Sequence, residues 1–191
     1  MIKGALEDKF LNEEVDRLIK SHKINTIVET GIYKGWSTNI FAKKVKKVIA
    51  IDISESLLNE AKKYNVENDN IDFYLGSSHE VLNNVLKKND NSILFFLDAH
   101  WGEYWPLLDE LKVIKEKEIL PIIIIHDFFV PDEKGNAKFG FDRYGTTILN
   151  FEYVKQSMDK IYDGLGYTHY CLNEADPLIN SGCGFFLPSS R

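Results

Sequence analysis

The amino-acid sequence predicts a single α/β domain whose sheet is doubly wound and mostly parallel. Two observations indicate this fold class. Five short apolar runs, several of them apolar on both faces as a buried parallel sheet requires, alternate with longer stretches of helical periodicity. The 191 residues, 44% of them hydrophobic and 27% charged, contain no repeat, low-complexity segment or linker, so one domain is expected to span residues 1–191.

The predicted elements follow in chain order. A leading helix is predicted within residues 1–23, because apolar residues recur at helical spacing from Phe10 to Ile19. The five predicted strands cover residues 24–29, 48–52, 71–75, 92–98 and 122–128. The helices between them cover residues 36–46, 55–65, 79–88 and 103–118. This alternation implies right-handed crossovers and a sheet covered by helices on both faces.

The pattern changes after the fifth strand. Residues 129–146 are rich in Gly, Asp and aromatic residues and have no periodicity, so we expect a loop or lid at the active site. A helix is predicted over residues 147–162, and two further strands over residues 166–173 and 182–188. The chain should therefore end in an antiparallel pair, which brings the sheet to seven strands.

The charge balance restricts the class of partner. With 23 Lys and Arg against 29 Asp and Glu, the formal net charge of −6 disfavours nucleic acid and anionic membranes and favours a small-molecule ligand. No apolar run is long enough to cross a bilayer and no secretory signal is visible, so we expect a cytoplasmic protein. The leading helix and the edge of the terminal hairpin are the surfaces on which a homodimer would form.

Two glycines follow the first predicted strand. The strand ends in Glu29, Gly31 can adopt a turn conformation closed to other residues, and Gly35 would let a ligand approach the backbone at the start of the next helix. The spacing G-x-x-x-G differs from the G-x-G-x-x-G that binds a dinucleotide pyrophosphate. A pyrophosphate is therefore not the expected ligand.

Polar residues also end the next two predicted strands. Asp52 ends the second strand, where a carboxylate can accept two hydrogen bonds from a ribose diol. Ser77 and Ser78 form a small polar turn after the third strand. Since open α/β sheets bind ligands at the carboxyl ends of their strands, these positions predict a nucleoside site.

The order E-T-G-x-x-x-G-x-S, followed by I-D at the second strand, resembles the cofactor site of class I S-adenosylmethionine-dependent methyltransferases over about residues 24–188. The resemblance implies S-adenosylmethionine as cofactor and a Rossmann-like seven-stranded sheet that ends in an antiparallel hairpin. It implies that Glu29 and the two glycines line the methionine part, that Asp52 binds the ribose, and that the serine turn lies by the adenine. The implied cofactor-binding residues are Glu29, Thr30, Gly31, Tyr33, Gly35, Ser37, Asp52, Ser77, Ser78 and Asp98. Many members have Asp after the Gly of the third strand; this chain has Ser there, as do members similar to catechol O-methyltransferase.

Four residues with acid or base capacity follow the fourth and fifth strands: Asp98, His100, His126 and Asp127. Buried charge is costly unless it is paired or bound to a cation, so this group is hard to explain as core. The pattern D-x-H followed by I-I-x-H-D resembles the branch that includes macrocin-type sugar O-methyltransferases and cephalosporin-hydroxylase-like proteins. In such relatives, acids at these strand ends can hold a divalent cation.

Methyl transfer to a hydroxyl requires that the acceptor loses its proton to a base or that a cation lowers its pKa. We therefore predict that His100 or His126 is the catalytic base and that Asp98 and Asp127 bind a cation such as Mg²⁺. The alternative is that Asp98 only faces the positive charge of the cofactor, while His126 and Asp127 form a supporting hydrogen bond.

Aromatic residues near these strand ends predict an acceptor pocket, although helix and loop packing would explain any one of them. The predicted pocket residues are Trp101, Tyr104, Trp105, Phe128 and Tyr144. As a group they favour a partly apolar acceptor, such as a sugar or an aromatic ring.

Together, these features predict a small-molecule O-methyltransferase that uses S-adenosylmethionine. The alternative is a module that binds a nucleoside or S-adenosylmethionine within a complex without transferring a methyl group. Such a module would not need the four acid and base residues. A hydrolase or oxidoreductase is disfavoured, since neither the G-x-S-x-G elbow nor the dinucleotide motif is present.

Overall fold

A computed structural model describes residues 4–88, 92–100 and 104–189. The strands in this part of the chain are β1 (Thr26–Thr30), β2 (Lys47–Asp52), β3 (Ile71–Leu75), β4 (Ile93–Leu97), β5 (Ile122–His126), β6 (Arg143–Tyr144), β7 (Thr147–Ile148), β8 (Tyr167–Cys171) and β9 (Cys183–Pro188). Seven of them form one sheet in the order β3-β2-β1-β4-β5-β9-β8, while β6 and β7 form a separate short ribbon. Strands β1 to β5 are parallel, and β9 runs antiparallel to both β5 and β8. The predicted doubly wound sheet with a terminal antiparallel hairpin is confirmed.

Helices cover both faces of this sheet. A 3₁₀ turn (Ala5–Glu7) is followed by α1 (Lys9–His22), α2 (Trp36–Ala42), α3 (Glu55–Tyr64), α4 (Ser78–Val85), α5 (Leu107–Glu116) and α6 (Phe151–Ile161). Polar side chains accept backbone N–H groups at three helix starts: Asp8 before α1, Ser54 before α3 and Asn150 before α6. One apolar core lies between the sheet and α4, α5 and α6, and a second lies between the other face and α1, α2 and α3.

Helices α2, α4, α5 and α6 are each shorter than predicted by two residues or more, and hydrogen bonds explain the bounds of α2 and α6. Helix α2 ends at Ala42 rather than residue 46, because the N–H groups of Lys46 and Lys47 both donate to the carbonyl of Asn25 as the chain enters β2. Helix α6 begins at Phe151 rather than residue 147, because Asn150 caps it. The two residues of β7 pair instead with β6.

The loop predicted over residues 129–146 includes β6 and is fastened by backbone hydrogen bonds. The N–H of Asp142 donates to the carbonyl of Asp127 over 2.8 Å, and the N–H of Gly140 donates to the carbonyl of Asn180 over 2.7 Å. At its start, the N–H of Phe129 donates to the carbonyl of Leu149 over 2.7 Å. The loop therefore lies at a defined position beside the end of β5.

Strand β1 occupies the centre of the parallel part, with β2 on one side and β4 on the other. The chain winds from β1 outward to β3, then crosses to β4 and winds the opposite way. Open α/β sheets bind ligands outside the carboxyl ends of the strands at such a reversal. Within the described residues, none of the helices combines the length and apolarity needed to traverse a membrane.

Candidate active site

Three neighbouring cavities lie at the carboxyl ends of β1, β2, β4 and β5. The main cavity has a volume of about 360 Å³, and its polar lining includes Glu29, Ser37, Asp98, His100, His126 and Asp127. A side cavity of about 30 Å³ is lined by Asp52, Gly76 and Ser78 among others. An inner cavity of about 20 Å³ is lined by Trp105, Glu110 and Asp142 among others. Because His100 lines all three, it lies where they meet.

The turn after β1 depends on Gly31. Its φ is +73°, and a Cβ there would lie 2.4 Å from the carbonyl oxygen of Asp98. Gly35 also has a positive φ, of +75°, but a Cβ there would meet Asn65 and Ala61 at 2.6 and 2.8 Å. The close approach that Gly35 permits is thus to helix α3, and its contact with a ligand stays a prediction.

Glu29 is a buried acid that lines the main cavity. It is 2% exposed, and its Oε2 accepts a hydrogen bond from Thr38 Oγ1 over 2.5 Å. Burial raises the pKa of Glu29 to about 8, against the effect of that hydrogen bond, and the charges of Asp98 and Asp52 add to the rise. A bound cation beside Glu29 would favour its ionised form.

Asp52 is held at the end of β2 by backbone groups. Its Oδ2 accepts the N–H of Tyr33 over 3.0 Å, and its Oδ1 accepts the N–H of Ser54 over 2.8 Å. Burial raises the pKa of Asp52, although these hydrogen bonds oppose the rise. Each oxygen keeps a further lone pair, so the carboxylate can still accept hydrogen bonds from a diol.

The serine turn and Thr30 differ in their environments. Ser78 is buried and lines the side cavity, whereas the hydroxyl of Ser77 lies 3.1 Å from Nδ1 of His79 and Ser77 lines none of the three cavities. The Thr30 side chain is fully buried on the face of the sheet opposite Glu29, next to Glu110 of α5. Thr30 therefore does not line the main cavity.

His126 links the two acids at the ends of β4 and β5. Its Nδ1 lies 3.0 Å from Oδ1 of Asp98 and 3.4 Å from Oδ2 of Asp127. Burial alone would lower the pKa of His126, but the charges of the two acids outweigh it and hold the pKa well above 6.5. Burial would likewise raise the pKa of Asp127, yet the imidazolium of His126 lowers it to about 2. The two neighbouring acids therefore favour the protonated form of His126.

His100 is the second imidazole, and its environment is different. Its side chain is 49% exposed, and its Nε2 lies 3.9 Å from Oδ2 of Asp142 in the fastened loop. Burial raises the pKa of Asp142, and the charge of Asp127 acts in the same direction. His100 is thus in contact with solvent at the mouth of the main cavity.

These side chains form two candidate cation sites that share Asp127. Asp98, His126 and Asp127 form one, and His100, Asp127 and Asp142 form the other; in each, the potential ligand atoms lie within 4.8 Å of one another. Carboxylate oxygens and imidazole nitrogens are ligands for hard and borderline divalent cations. The arrangement can therefore hold either a cation or a protonated imidazole between carboxylates.

Of the predicted acceptor residues that the structure describes, Phe128 and Trp105 are buried and Tyr104 is exposed. Phe128 is 1% exposed and packs against Phe186 and His169, so its assignment to a substrate pocket is wrong. Trp105 is 9% exposed and lines only the inner cavity, with its ring 4.4 Å from that of Tyr144. The hydroxyl of Tyr104 donates to Asp109 over 2.5 Å. Trp101 lies outside the described residues.

A scan against protein families finds no match, and a search of curated proteins finds no significant relative. Solved structures do resemble the chain. An rRNA methylase from Streptococcus thermophilus is 17% identical, with a TM-score of 0.56 over 100% of this chain and 99% of that protein. A presumed caffeoyl-CoA O-methyltransferase from Staphylococcus aureus is 17% identical, with a TM-score of 0.57 over 94% of this chain and 83% of that one. The N-methyltransferase NodS from Bradyrhizobium japonicum WM9 is 11% identical, with a TM-score of 0.55 over 95% and 98% of the two chains.

The chain has the fold of class I S-adenosylmethionine-dependent methyltransferases. At these identities the likeness extends to the fold alone, and the three proteins differ in what they methylate. The fold brings together Glu29, Asp98, His100, His126 and Asp127, all predicted from sequence, around one cavity.

Other residues at this site were not found by sequence reasoning. Asp142 lies in a segment without periodicity, so nothing in the sequence related it to His100. Gly4 and Ala5 line the main cavity from the 3₁₀ turn, far from the strand ends in sequence. Glu110 did carry a signal, because it is an acid on the apolar face that Leu107, Leu111 and Ile114 define.

Proposed function

We propose that this chain is an S-adenosylmethionine-dependent methyltransferase that methylates a hydroxyl group of a small molecule. One observation carries the proposal: the main cavity has a volume of about 360 Å³, lies at the strand-order reversal, and is lined by three carboxylates and two imidazoles. The volume falls within the usual range of about 300–1,000 Å³ for small-molecule sites. The three carboxylates would attract the positive charges of a ligand that carries an ammonium and a sulfonium group.

The residues at β1 and β2 fit such a cofactor. Glu29, the most buried of the three acids, would pair with the ammonium group, since a nearby positive charge offsets the burial that raises its pKa. Asp52, with a lone pair left on each oxygen, would accept the ribose hydroxyls. The side cavity, of about 30 Å³, is too small for a purine, so entry of the nucleoside requires the residues of its wall, which include His100, to move.

His100 is the proposed catalytic base. A base must be unprotonated and within reach of the acceptor. Asp98 and Asp127 favour the protonated form of His126, so it is less suited to remove a proton, whereas His100 is half-exposed at the mouth of the cavity. His126 then serves to position the two acids.

A divalent cation fits the group formed by Asp98, His126 and Asp127. Asp98, His126 and Asp127 would hold the cation, since Nδ1 of His126 lies 3.0 Å from Oδ1 of Asp98 and 3.4 Å from Oδ2 of Asp127 and would bind a cation in its unprotonated form. When bound, a cation would supply charge that lowers the pKa of the acceptor hydroxyl. Loss of methyl transfer in EDTA, restored by Mg²⁺ or Mn²⁺, is the expected result. Full activity after exhaustive EDTA treatment would exclude a required cation.

A small acceptor is favoured over RNA, although one protein of the same fold is described as an rRNA methylase. The chain carries a net charge of −6, and the site itself is acidic. Both features oppose a phosphate backbone. A neutral or cationic small molecule meets no such repulsion.

Cofactor binding is tested by titration calorimetry with S-adenosylhomocysteine. We expect binding to the wild-type chain and a loss of at least about tenfold in affinity for Asp52→Asn, which weakens two hydrogen bonds. Asp69→Asn is the matched control, since Asp69 is an exposed acid. Absence of binding by the wild type at millimolar ligand would refute the proposal.

Methyl transfer is tested with S-adenosylmethionine labelled in its methyl group and a cell extract as the source of acceptors. We expect label in the small-molecule ultrafiltrate, in a product whose methyl group is bound to oxygen. Label only in RNA or protein would refute the small-molecule acceptor. A chain that binds S-adenosylhomocysteine but transfers no label would be the non-catalytic binding module.

A further inference from the structure

The two edge strands of the seven-stranded sheet, β3 and β8, are protected to different extents. An exposed edge strand can pair with another chain, and proteins guard such strands with charged residues, proline, bulges or a covering segment. Strand β3 contains Asp72, which forms an ion pair with Lys47 over 2.5 Å. Strand β8 (Tyr167–Cys171) contains neither proline nor any Lys, Arg, Asp or Glu. Its outer side, the β8 edge, therefore lacks the residues that prevent pairing.

Alternate residues of β8 direct their backbone groups outward. The N–H of Ser189 donates to the carbonyl of Gly166 over 3.1 Å, so the backbone groups of Gly166 face β9. Because this direction alternates along an antiparallel strand, the N–H and C=O groups of Tyr167, His169 and Cys171 point away from β9. In the part of the chain that the structure describes, no other segment bonds to them. Water or a further strand must satisfy these groups.

Charges of both signs flank the β8 edge on the face that α1 covers. The hydroxyl of Tyr170 donates to Glu14 of α1, and Glu14 binds the guanidinium of Arg17 over 2.6 Å. The side chain of Arg17 is 56% exposed, and it lines a groove between α1 and the end of β8 together with Glu13 and Glu174. This face thus presents carboxylates and a guanidinium side by side.

The face that α6 covers has a similar arrangement. The hydroxyl of Tyr167 donates to Asp159 over 2.9 Å, and Asp159 pairs with Lys155 over 2.7 Å. Both members of this ion pair are about half exposed. The net charge of −6 on the whole chain opposes self-association, but each face of the β8 edge combines a cation with an anion. Two copies could therefore meet at this edge with their charges matched.

We propose that two copies of this chain form a symmetric dimer by antiparallel pairing of their β8 strands, which joins the two sheets into one. With the two-fold axis at His169, the backbone groups of Tyr167 bond to Cys171 of the second copy, and those of His169 bond to their own equivalents. No residue of β8 lines the main cavity, so each copy keeps its own crevice. Dimer formation does not depend on methyl transfer.

The charges beside the β8 edge favour a second copy over an unrelated strand. A two-fold axis reverses the direction of α1 and α6 in the second copy. Arg17 of each copy then lies beside Glu14 of the other, and Lys155 beside Asp159, because each cation and its acid are one helical turn apart. An unrelated strand would satisfy the backbone groups of β8 but not these charges.

Sedimentation velocity of the full chain over a series of concentrations tests the proposal. Wild type should show a reversible equilibrium between monomer and dimer. Thr168→Lys, at an exposed position of β8, should weaken the dimer at least about tenfold, since it places a charge within the paired edge. Asn59→Lys makes the same change of charge at an exposed position of α3, which packs on β2 and β3, and should behave as wild type.

Charge reversal tests whether the partner is a second copy. Lys155→Glu and Asp159→Lys each place like charges opposite one another twice in a symmetric dimer. Each should weaken self-association by about fivefold or more. An equimolar mixture of the two variants should form a mixed dimer, because opposite charges then face each other again. A mixture that associates no more tightly than the separate variants would overturn the proposal.

Hydrogen exchange of the wild type gives a measurement that needs no variant, and it decides if Thr168→Lys does not fold. The amide of His169 should exchange at least about tenfold faster once dilution dissociates the dimer, while the amides of β3 should exchange equally at both concentrations. Three results would each overturn the proposal: a wild type that stays monomeric, a dimer that Thr168→Lys leaves intact, or exchange at His169 that does not depend on concentration.

Discussion

Replacing Glu29 by glutamine should remove a large part of the pH dependence of stability. Burial raises the pKa of Glu29 from its ordinary value of 4.5 to about 8, so the folded chain keeps this proton to a higher pH than the unfolded chain. The resulting stabilisation is complete below about pH 4.5 and is lost progressively as the pH rises through about 8. Glutamine is similar in shape and can accept the hydrogen bond from Thr38, but it does not titrate.

The expected magnitude follows from the two pKa values. One pKa unit corresponds to about 1.4 kcal/mol, so between about pH 5 and pH 9 the free energy of unfolding of the wild type should fall by about 4 kcal/mol more than that of Glu29→Gln. Glu110 adds its own pH dependence to both proteins, and this contribution cancels in the difference.

Urea unfolding, followed by tryptophan fluorescence at a series of pH values, measures the difference. Glu67→Gln, which changes an exposed acid, is the control and should follow the wild-type profile. Equal pH profiles for the wild type and Glu29→Gln would refute the reasoning, because Glu29 would then titrate alike in the folded and unfolded chains.

Three further predictions follow from the same site. Binding of S-adenosylhomocysteine near neutral pH should release up to about one proton from Glu29. The heat of binding to the wild type, measured by calorimetry, should then vary with the ionisation enthalpy of the buffer. A heat that does not depend on the buffer would argue against an ion pair between Glu29 and the ligand. Gly31→Ala should lower the free energy of unfolding by about 3 kcal/mol or more, because residue 31 has a φ of +73° and the new Cβ would meet the carbonyl of Asp98. Denaturant unfolding measures this change, and a loss below about 1 kcal/mol would contradict the tight contact. His100→Gln should lower the turnover number by about 100-fold or more if His100 is the base, and a label-transfer assay that finds wild-type turnover would exclude it.

The sheet and much of the candidate site could be predicted from the sequence because both depend on local patterns. Apolar runs on both faces define the parallel strands, and the residue that follows each run lies at the carboxyl edge. Glu29, Asp52, Asp98 and His126 were found in this way, and they lie around the crevice.

The remainder depends on contacts between segments that are distant in sequence. Phe128 was assigned to the pocket because it follows β5, but Asp127 adopts a φ of +51° and turns the chain, so Phe128 enters the core beneath β9. Asp142 is held at the site by two backbone hydrogen bonds, from its own N–H to the carbonyl of Asp127 and from the N–H of Leu149 to its carbonyl. Neither the turn at Asp127 nor the contact of Asp142 with Asp127 produces a periodic pattern in the sequence.

The manner in which the segment over residues 129–146 is fastened matters for protein engineering. Its anchors are the pairs Phe129 with Leu149, Asp142 with Asp127, and Gly140 with Asn180, whereas its outermost part, around residues 132–137, bonds mainly within itself. A library that exchanges only that outer part as a cassette, and retains the anchor residues, would therefore vary this surface segment while leaving Asp142 and the other acids and imidazoles in their places.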